Sequence, residues 1–152
     1  IDGSKLRIQK PQEFQRRFYN SEKHFHSINS IVVVDINTRI MFVAVGFLGI
    51  QHDSSCARIA SIEKFLKSGG KLLGDSAFRS FHWCLKKRGG THGDNFNQWY
   101  SSERERVEHC FGLGKTWSII SNHSAFRSKS FRLKWIFFLL CCIHNLKLRL
   151  AQ

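Results

Sequence analysis

Four acidic residues, Asp2, Asp53, Asp75 and Glu108, stand out in a chain whose balance is strongly basic. The 152 residues hold 24 Lys and Arg against 11 Asp and Glu. The apolar pattern around the four puts Asp2 at the start of a strand, Asp53 at a helix start, Asp75 at a strand end and Glu108 on a helix. A buried carboxylate without a partner is costly, and several together repel one another, so such a cluster persists only where cations or donors neutralise it. Hard divalent ions, Mg²⁺ or Mn²⁺, prefer carboxylate and water oxygens and leave positions open for a substrate phosphate. Two such ions about 3.5–4 Å apart can activate a water or a 3′-hydroxyl and stabilise the leaving oxygen of an in-line phosphoryl displacement. Each acid also has a plain structural reading. Asp2 can be a turn residue beside Gly3, Asp53 an N-cap, Asp75 a turn residue or N-cap, and Glu108 a surface partner of Arg104 one helical turn earlier.

The elements that must position these acids follow from periodicity. From Leu6 the opening Ile1–Ile8 alternates apolar and polar side chains, the period of a half-buried strand, and the polar stretch to Asn20 reads as a loop. His26–Ile36 and Arg39–Phe47 read as buried strands joined by the turn formers Asp35-Ile36-Asn37-Thr38, hence an antiparallel hairpin. Asp53-Ser54-Ser55 starts a helix in which Cys56, Ile59, Ile62, Phe65 and Leu66 recur at helical spacing until Ser68-Gly69-Gly70 stops it. A short strand, Lys71–Gly74, follows. Gly89–Asn97 reads as a loop, Ser102–Gly112 as a helix with Val107, Cys110 and Phe111 on one face, and Ser128–Leu150 as a last helix. This order predicts an α/β domain: a mixed sheet flanked by helices.

Length and composition fit one compact domain over residues 1–152, with 42% apolar residues and 14 Phe to fill a core. A net charge of +13 points to a polyanionic partner, with nucleic acid, DNA or RNA, ahead of a membrane surface. No basic amphipathic anchor for a membrane surface is present, and the longest apolar run, Trp135–Ile143, is far short of the roughly 20 residues that span a bilayer. Ile1-Asp2-Gly3-Ser4 has neither the charged leader nor the apolar stretch of a signal peptide, so an intracellular, reducing compartment is expected. Five cysteines without a C-x-x-C pair read as free thiols, and Cys141, Cys142 and His144 as part of a packed helix rather than a metal site. Arg7, Lys10, Arg16, Arg17, Lys86, Lys87 and Arg88 are candidate phosphate contacts, and His52 either orients a ligand or is structural.

Beyond these patterns, a series of motifs runs in order along the chain. Ile1-Asp2-Gly3-Ser4 is followed by the basic, Pro-containing Arg7–Pro11, then Tyr19-Asn20, His26-Ser27-Ile28-Asn29 and Val33-Val34-Asp35. Next come Gly49-Ile50-Gln51-His52-Asp53-Ser54, Leu72-Leu73-Gly74-Asp75-Ser76-Ala77-Phe78, Arg104–Gly112 and finally Cys141-Cys142-Ile143-His144-Asn145. Together they resemble the PIF/Harbinger group of DDE endonucleases, whose motifs read I-D-G-T, H-S-I-N, G-S-x-H-D-S, L-L-G-D-S-G-Y, R-x-x-V-E-x-x-F-G and C-C-x-L-H-N.

The resemblance implies a ribonuclease-H-like fold and a metal-dependent DNA endonuclease or transposase core. It carries the catalytic and metal roles onto Asp2, Asp75 and Glu108, with Asp53 as a further metal ligand and Mg²⁺ or Mn²⁺ as the cofactor. It also implies a DNA substrate, a nuclear setting with the cytoplasm as an alternative, and a DNA-binding helical region before the first strand or a Myb-like partner that supplies one. Since the sequence opens on the motif of the first catalytic Asp, Ile1-Asp2-Gly3-Ser4, site recognition is expected from elsewhere. The sequence departs from the family's motifs at Ser4, at Ile50 and at Ala77-Phe78-Arg79, which stands in place of Gly-Tyr-Pro, and no departure removes a carboxylate. The competing readings are a domesticated or decayed relative that binds nucleic acid without cutting it, and a basic scaffold for a protein partner.

Overall fold

The alternation in the opening segment becomes β1 (Asp2–Arg7), with Ser4 and Leu6 buried on one face. The structure, a computed structural model, describes residues 1–66, 69–87, 94–115 and 130–151. After β1 come a helical turn α1 (Gln15–Phe18) and the two-residue β2 (Tyr19–Asn20), inside the stretch expected to be loop. The central strand is β3 (Phe25–Val34), buried from Ser27 to Val33 because helices cover both of its faces. It pairs antiparallel with β1 (Asp2 opposite Val32, Leu6 opposite Ile28) and with β4 (Ile40–Leu48; Val43 opposite Val32). β2 pairs with its first two residues.

The expected β3–β4 hairpin is present. Its turn is closed by Asp35, whose Oδ1 accepts from the backbone N–H groups of Asn37 and Arg39, both at 2.9 Å. The register shifts by one residue at Gly46, which sits at φ 104° where the stem of Lys134 crosses it. A side chain at Gly46 would meet that lysine as well as the backbone strain.

The helix expected to begin at Asp53 forms as two pieces, α2 (Asp53–Ile59) and α3 (Ile62–Phe65), because Ser61 adopts a left-handed conformation at φ 53° between them. The break rotates the apolar face. Cys56 and Ile62 stay in the core, while Ile59 and Phe65 are 59% and 36% exposed. Of the residues expected to stop this helix, Ser68 lies outside the described residues.

β5 (Leu72–Leu73) pairs in parallel with β6 (Cys84–Leu85), a strand too short for periodicity to signal. A single 3₁₀ turn, Ser76–Phe78, lies between them. The Ile1 nitrogen donates to Leu73 O at 2.7 Å, so β5 meets the large sheet at the beginning of β1. The helix around Glu108, α4, runs from Asp94 to Lys115, taking in Asp94–Asn97, which were expected in a loop; residues 89–93 of that expected loop lie outside the described ones. The last helix, α5, is Ser130–Leu150.

Two cores form, one on each side of the sheet. Ile1, Ile31 and Val33 pack with Cys56, Ala57, Ile62, Phe78 and Trp83 on the α2 side. Leu6, Ile8, Ile28 and Val32 pack with Leu133, Phe137 and Cys141 of α5 on the other. Among the described residues the domain is thus mixed α/β, but in place of one mixed sheet it has a four-stranded antiparallel sheet with helices on both faces and a separate parallel pair, β5–β6. No helix among the described residues is long and apolar enough to cross a membrane.

Candidate active site

The beginning of β1 is a junction. On one side Leu73 accepts from the Ile1 nitrogen, and Gly74 packs so tightly on the Ile1 side chain that a Cβ there would lie 3.0 Å from Ile1 Cγ2. Asp75 follows directly. On the other side the Asp53 carboxyl lies against the backbone of Gly3, 2.3 Å from where a Cβ would stand. Asp2, Asp53 and Asp75 therefore come from three separate elements to one end of one strand. Strand alternation sets them on different faces: Gly3 and Lys5 turn toward α2 and Asp53, while Asp2 shares a face with Leu6, toward α4 and α5.

Each acid has its own surroundings. Burial raises the Asp2 carboxyl from the ordinary 3.8 to about 6. The N–H of Gly3, 2.9 Å from Asp2 Oδ1, pulls the other way. Asp75 raises it further, Arg104 lowers it, and Asp53 adds a smaller upward push. Asp53 is well supplied with donors: Asn29 Nδ2 donates to its Oδ1 at 2.7 Å, and Lys5 Nζ lies 3.8 Å away. Asn29 is fully buried and Lys5 also donates to the carbonyls of Gly49 and Gln51, so the donors beside Asp53 are tied into the surrounding backbone. Asp75 caps the 3₁₀ turn, its Oδ1 accepting from Ala77 N at 2.9 Å. Glu108 does not join the three. It forms an ion pair with Arg104 at 2.9 Å, and 55% of its side chain is exposed. Arg104 in turn shares a cleft with Asp75 and is felt by Asp2, so it stands between Glu108 and the other acids.

Three residues that the sequence did not single out hold this site. Tyr100, 4% exposed, sets its hydroxyl 2.5 Å from Gly74 O and 3.0 Å from Leu85 O, with Gly74 N donating to it at 3.4 Å. It ties α4 to the ends of β5 and β6 immediately before Asp75. Arg104 reads in sequence only as a surface partner of Glu108. Asn29 carried a signal, since an amide inside an apolar strand needs buried partners.

Other expectations resolve locally. His52 precedes α2 at its N-cap without a side-chain capping bond. Burial pushes the Cys141 thiol up to about 12, as expected of a packed helix. His144 Nε2 meets Thr38 O at 2.9 Å, and Asn145 bonds both the N–H and the C=O of Ile40, each at 2.8 Å. The Cys-Cys-Ile-His-Asn motif thus locks α5 onto β4. Arg88 lies outside the described residues.

A family model described as DDE superfamily endonuclease matches residues 1–145. The chain belongs to the DDE superfamily endonucleases, of the Harbinger type. No curated protein and no solved structure matches it. DDE endonucleases hydrolyse phosphodiester bonds and generally use divalent metals. In this DDE chain the donor chemistry suits such an ion: Asp2 and Asp75 offer only hard oxygens, and burial beside like charges leaves Asp2 short of positive charge. The assembly is incomplete, because among the described residues no three His, Cys, Asp or Glu side chains stand close enough together to hold one ion.

Proposed function

We propose that this chain is the ribonuclease-H-like catalytic core of a DNA endonuclease or transposase, with Asp2, Asp75 and Glu108 as the acids that hold Mg²⁺ or Mn²⁺. The observation that carries the reading is the junction at the start of β1, where Ile1–Gly3 touches Leu73-Gly74 on one side and Asp53 on the other. A basic chain that only binds DNA gains nothing from acids gathered near phosphate, whereas a chain that cuts DNA needs them.

The residues divide the work as follows. Asp2 and Asp75 supply oxygen donors from the main sheet and from the turn after β5. Glu108 supplies the third once Arg104 releases it, a rotation within one exposed i, i+4 pair that costs little. Asp53, committed to Asn29 and Lys5, serves this set best by fixing the backbone of Gly3, and reaches a metal only by giving up those donors. Tyr100 fixes the turn that carries Asp75. When bound, divalent ions of this class activate the attacking water or hydroxyl and neutralise the leaving oxygen. The same reading assigns DNA as the partner, the nucleus as the setting and target choice to a Myb-like protein or a further helical region.

Nicking of supercoiled plasmid with Mg²⁺ or Mn²⁺ tests it. The chain should convert the plasmid to open circles, and Asp2→Asn, Asp75→Asn and Glu108→Gln should each abolish conversion. Equal nicking by wild type and Glu108→Gln removes Glu108 from the mechanism, and equal nicking by Asp75→Asn ends the proposal. The Arg104–Glu108 pair favours a second reading, a relative that binds DNA without cutting it. A wild-type chain that binds DNA but never nicks it selects that reading.

A further inference from the structure

The cleft beside Asp75 has a one-sided charge. It encloses about 380 Å³, and its lining includes Asp75, Arg79, Lys86, Lys87, Tyr100 and Arg104, so four cations face one carboxylate. Arg104 already has Glu108. Arg79, Lys86 and Lys87 are exposed and have no carboxylate partner among the described residues. Surface cations usually stand on flexible ground, but here the backbone beneath them is pinned. Arg79 closes the 3₁₀ turn that Asp75 caps, its N–H donating to Ser76 O at 3.2 Å. Lys86 and Lys87 directly follow β6, which is held by its parallel pairing to β5 and by the Tyr100 hydroxyl at Leu85 O. Uncompensated positive charge on two fixed segments, in one cleft with Asp75, suits a ligand that carries several negative charges along a line.

We infer that Arg79, Lys86 and Lys87 form a phosphate-binding shelf that grips the backbone of the DNA strand running past Asp75. Arg79 contributes a planar fork able to hold one phosphate bidentately, and the two lysines contribute point charges for its neighbours. The position of the cut bond rests on the nuclease reading of Asp75, whereas the grip itself requires only the three cations.

The salt dependence of DNA binding separates this shelf from the general attraction of a +13 chain. Each phosphate neutralised on duplex DNA contributes about 0.9 to the slope of log affinity against log salt. Anisotropy titrations of a labelled duplex in EDTA, repeated at several salt concentrations, should show the slope of the combined Arg79→Ala/Lys86→Ala/Lys87→Ala variant flatter by about 2.7. Arg79→Lys should keep the wild-type slope. The Lys23→Ala/Lys64→Ala/Arg149→Ala variant removes the same charge from exposed positions outside the cleft and should flatten the slope much less. An unchanged slope in the shelf variant, an equal flattening in the control, or no binding by wild type overturns the shelf. If the shelf variant flattens the slope but wild type never nicks plasmid, the shelf stands and the nuclease reading falls.

Discussion

The contact between Gly3 and Asp53 can be probed by adding one methyl group. In Gly3→Ala the new Cβ would lie 2.3 Å from Asp53 Cγ and Oδ2 and 2.6 Å from Oδ1. Non-bonded carbons rest at about 3.5–4.0 Å, so more than an ångström must open. Two relaxations are available, and both cost. Swinging the carboxyl aside gives up the 2.7 Å bond from Asn29 and the approach of Lys5, and hydrogen bonds to charged groups are worth about 1.5–3 kcal/mol. Moving β1 instead disturbs its ladder with β3, where Gly3 stands opposite Ile31 in the core. Overpacking of this kind typically costs about 1–3 kcal/mol, and the stiffer unfolded chain of an alanine returns about 0.4–1 kcal/mol. The net expectation is a loss of about 1–2 kcal/mol. In an Asp53→Ala background the obstruction is gone, so adding Gly3→Ala should cost almost nothing. Urea unfolding of wild type, the two single variants and the double variant should therefore give a coupling of about 1–2 kcal/mol, against about 0.5 kcal/mol or less for independent sites. Additivity within that margin would refute the packing of Asp53 on the start of β1, and with it the junction that gathers the acids.

Further predictions follow from the same geometry. Tyr100→Phe leaves the carbonyls of Gly74 and Leu85 without the hydroxyl, so chemical denaturation should show a loss of about 1–3 kcal/mol and plasmid nicking should fall together with Asp75 positioning. Asn145→Ala frees both backbone groups of Ile40 at the edge of the sheet, and thermal unfolding should show a loss of similar size, with hydrogen exchange faster at Ile40 than in β1. Asp2 binds its proton more tightly in the folded chain, where its value is about 6, than in the unfolded chain at 3.8. Its contribution to stability is therefore complete below about pH 4 and lost as pH rises through about 6. At 1.36 kcal/mol per tenfold change in proton affinity this amounts to about 3 kcal/mol at most, reduced by the solvent that reaches a partly exposed group. Metal-free wild type should thus lose stability between pH 4 and 7 relative to Asp2→Asn, and identical pH profiles for the two would contradict the burial of Asp2.

Much of the scaffold was written in hydrophobic spacing. β1, the β3–β4 hairpin and the helices bearing Asp53 and Glu108 all follow from it, because each sets apolar residues at strand or helix spacing, with Leu6, Ile31, Val33, Cys56 and Val107 among those buried. What escaped was set by tertiary contact. Ser61 breaks one expected helix through a backbone conformation that side-chain pattern does not encode, and β6 is two residues whose pairing with β5 depends on Tyr100 from a distant helix. The acids themselves were legible from type and position, yet their partners were not. Nothing local distinguishes an Asp53 held by Asn29 and Lys5 from one open to a cation, and only for Glu108, through Arg104 one turn earlier, and for Asp75, as an N-cap, did the nearby sequence announce what forms. Likewise the sequence reads His144 as part of a packed helix without naming what it packs on, and the structure supplies the answer: His144 and Asn145 clamp α5 to the start of β4 through backbone groups more than a hundred residues away.

The central claim is that Asp2, Asp75 and Glu108 close on a divalent ion that none of them holds alone. Calorimetric titration of the whole chain with Mn²⁺ at neutral pH, with Asp2→Asn, Asp75→Asn and Glu108→Gln alongside, addresses it without reference to activity. Saturable binding to wild type that is lost in all three variants is the predicted result. Binding that survives in all three, or no binding to wild type, would contradict the claim.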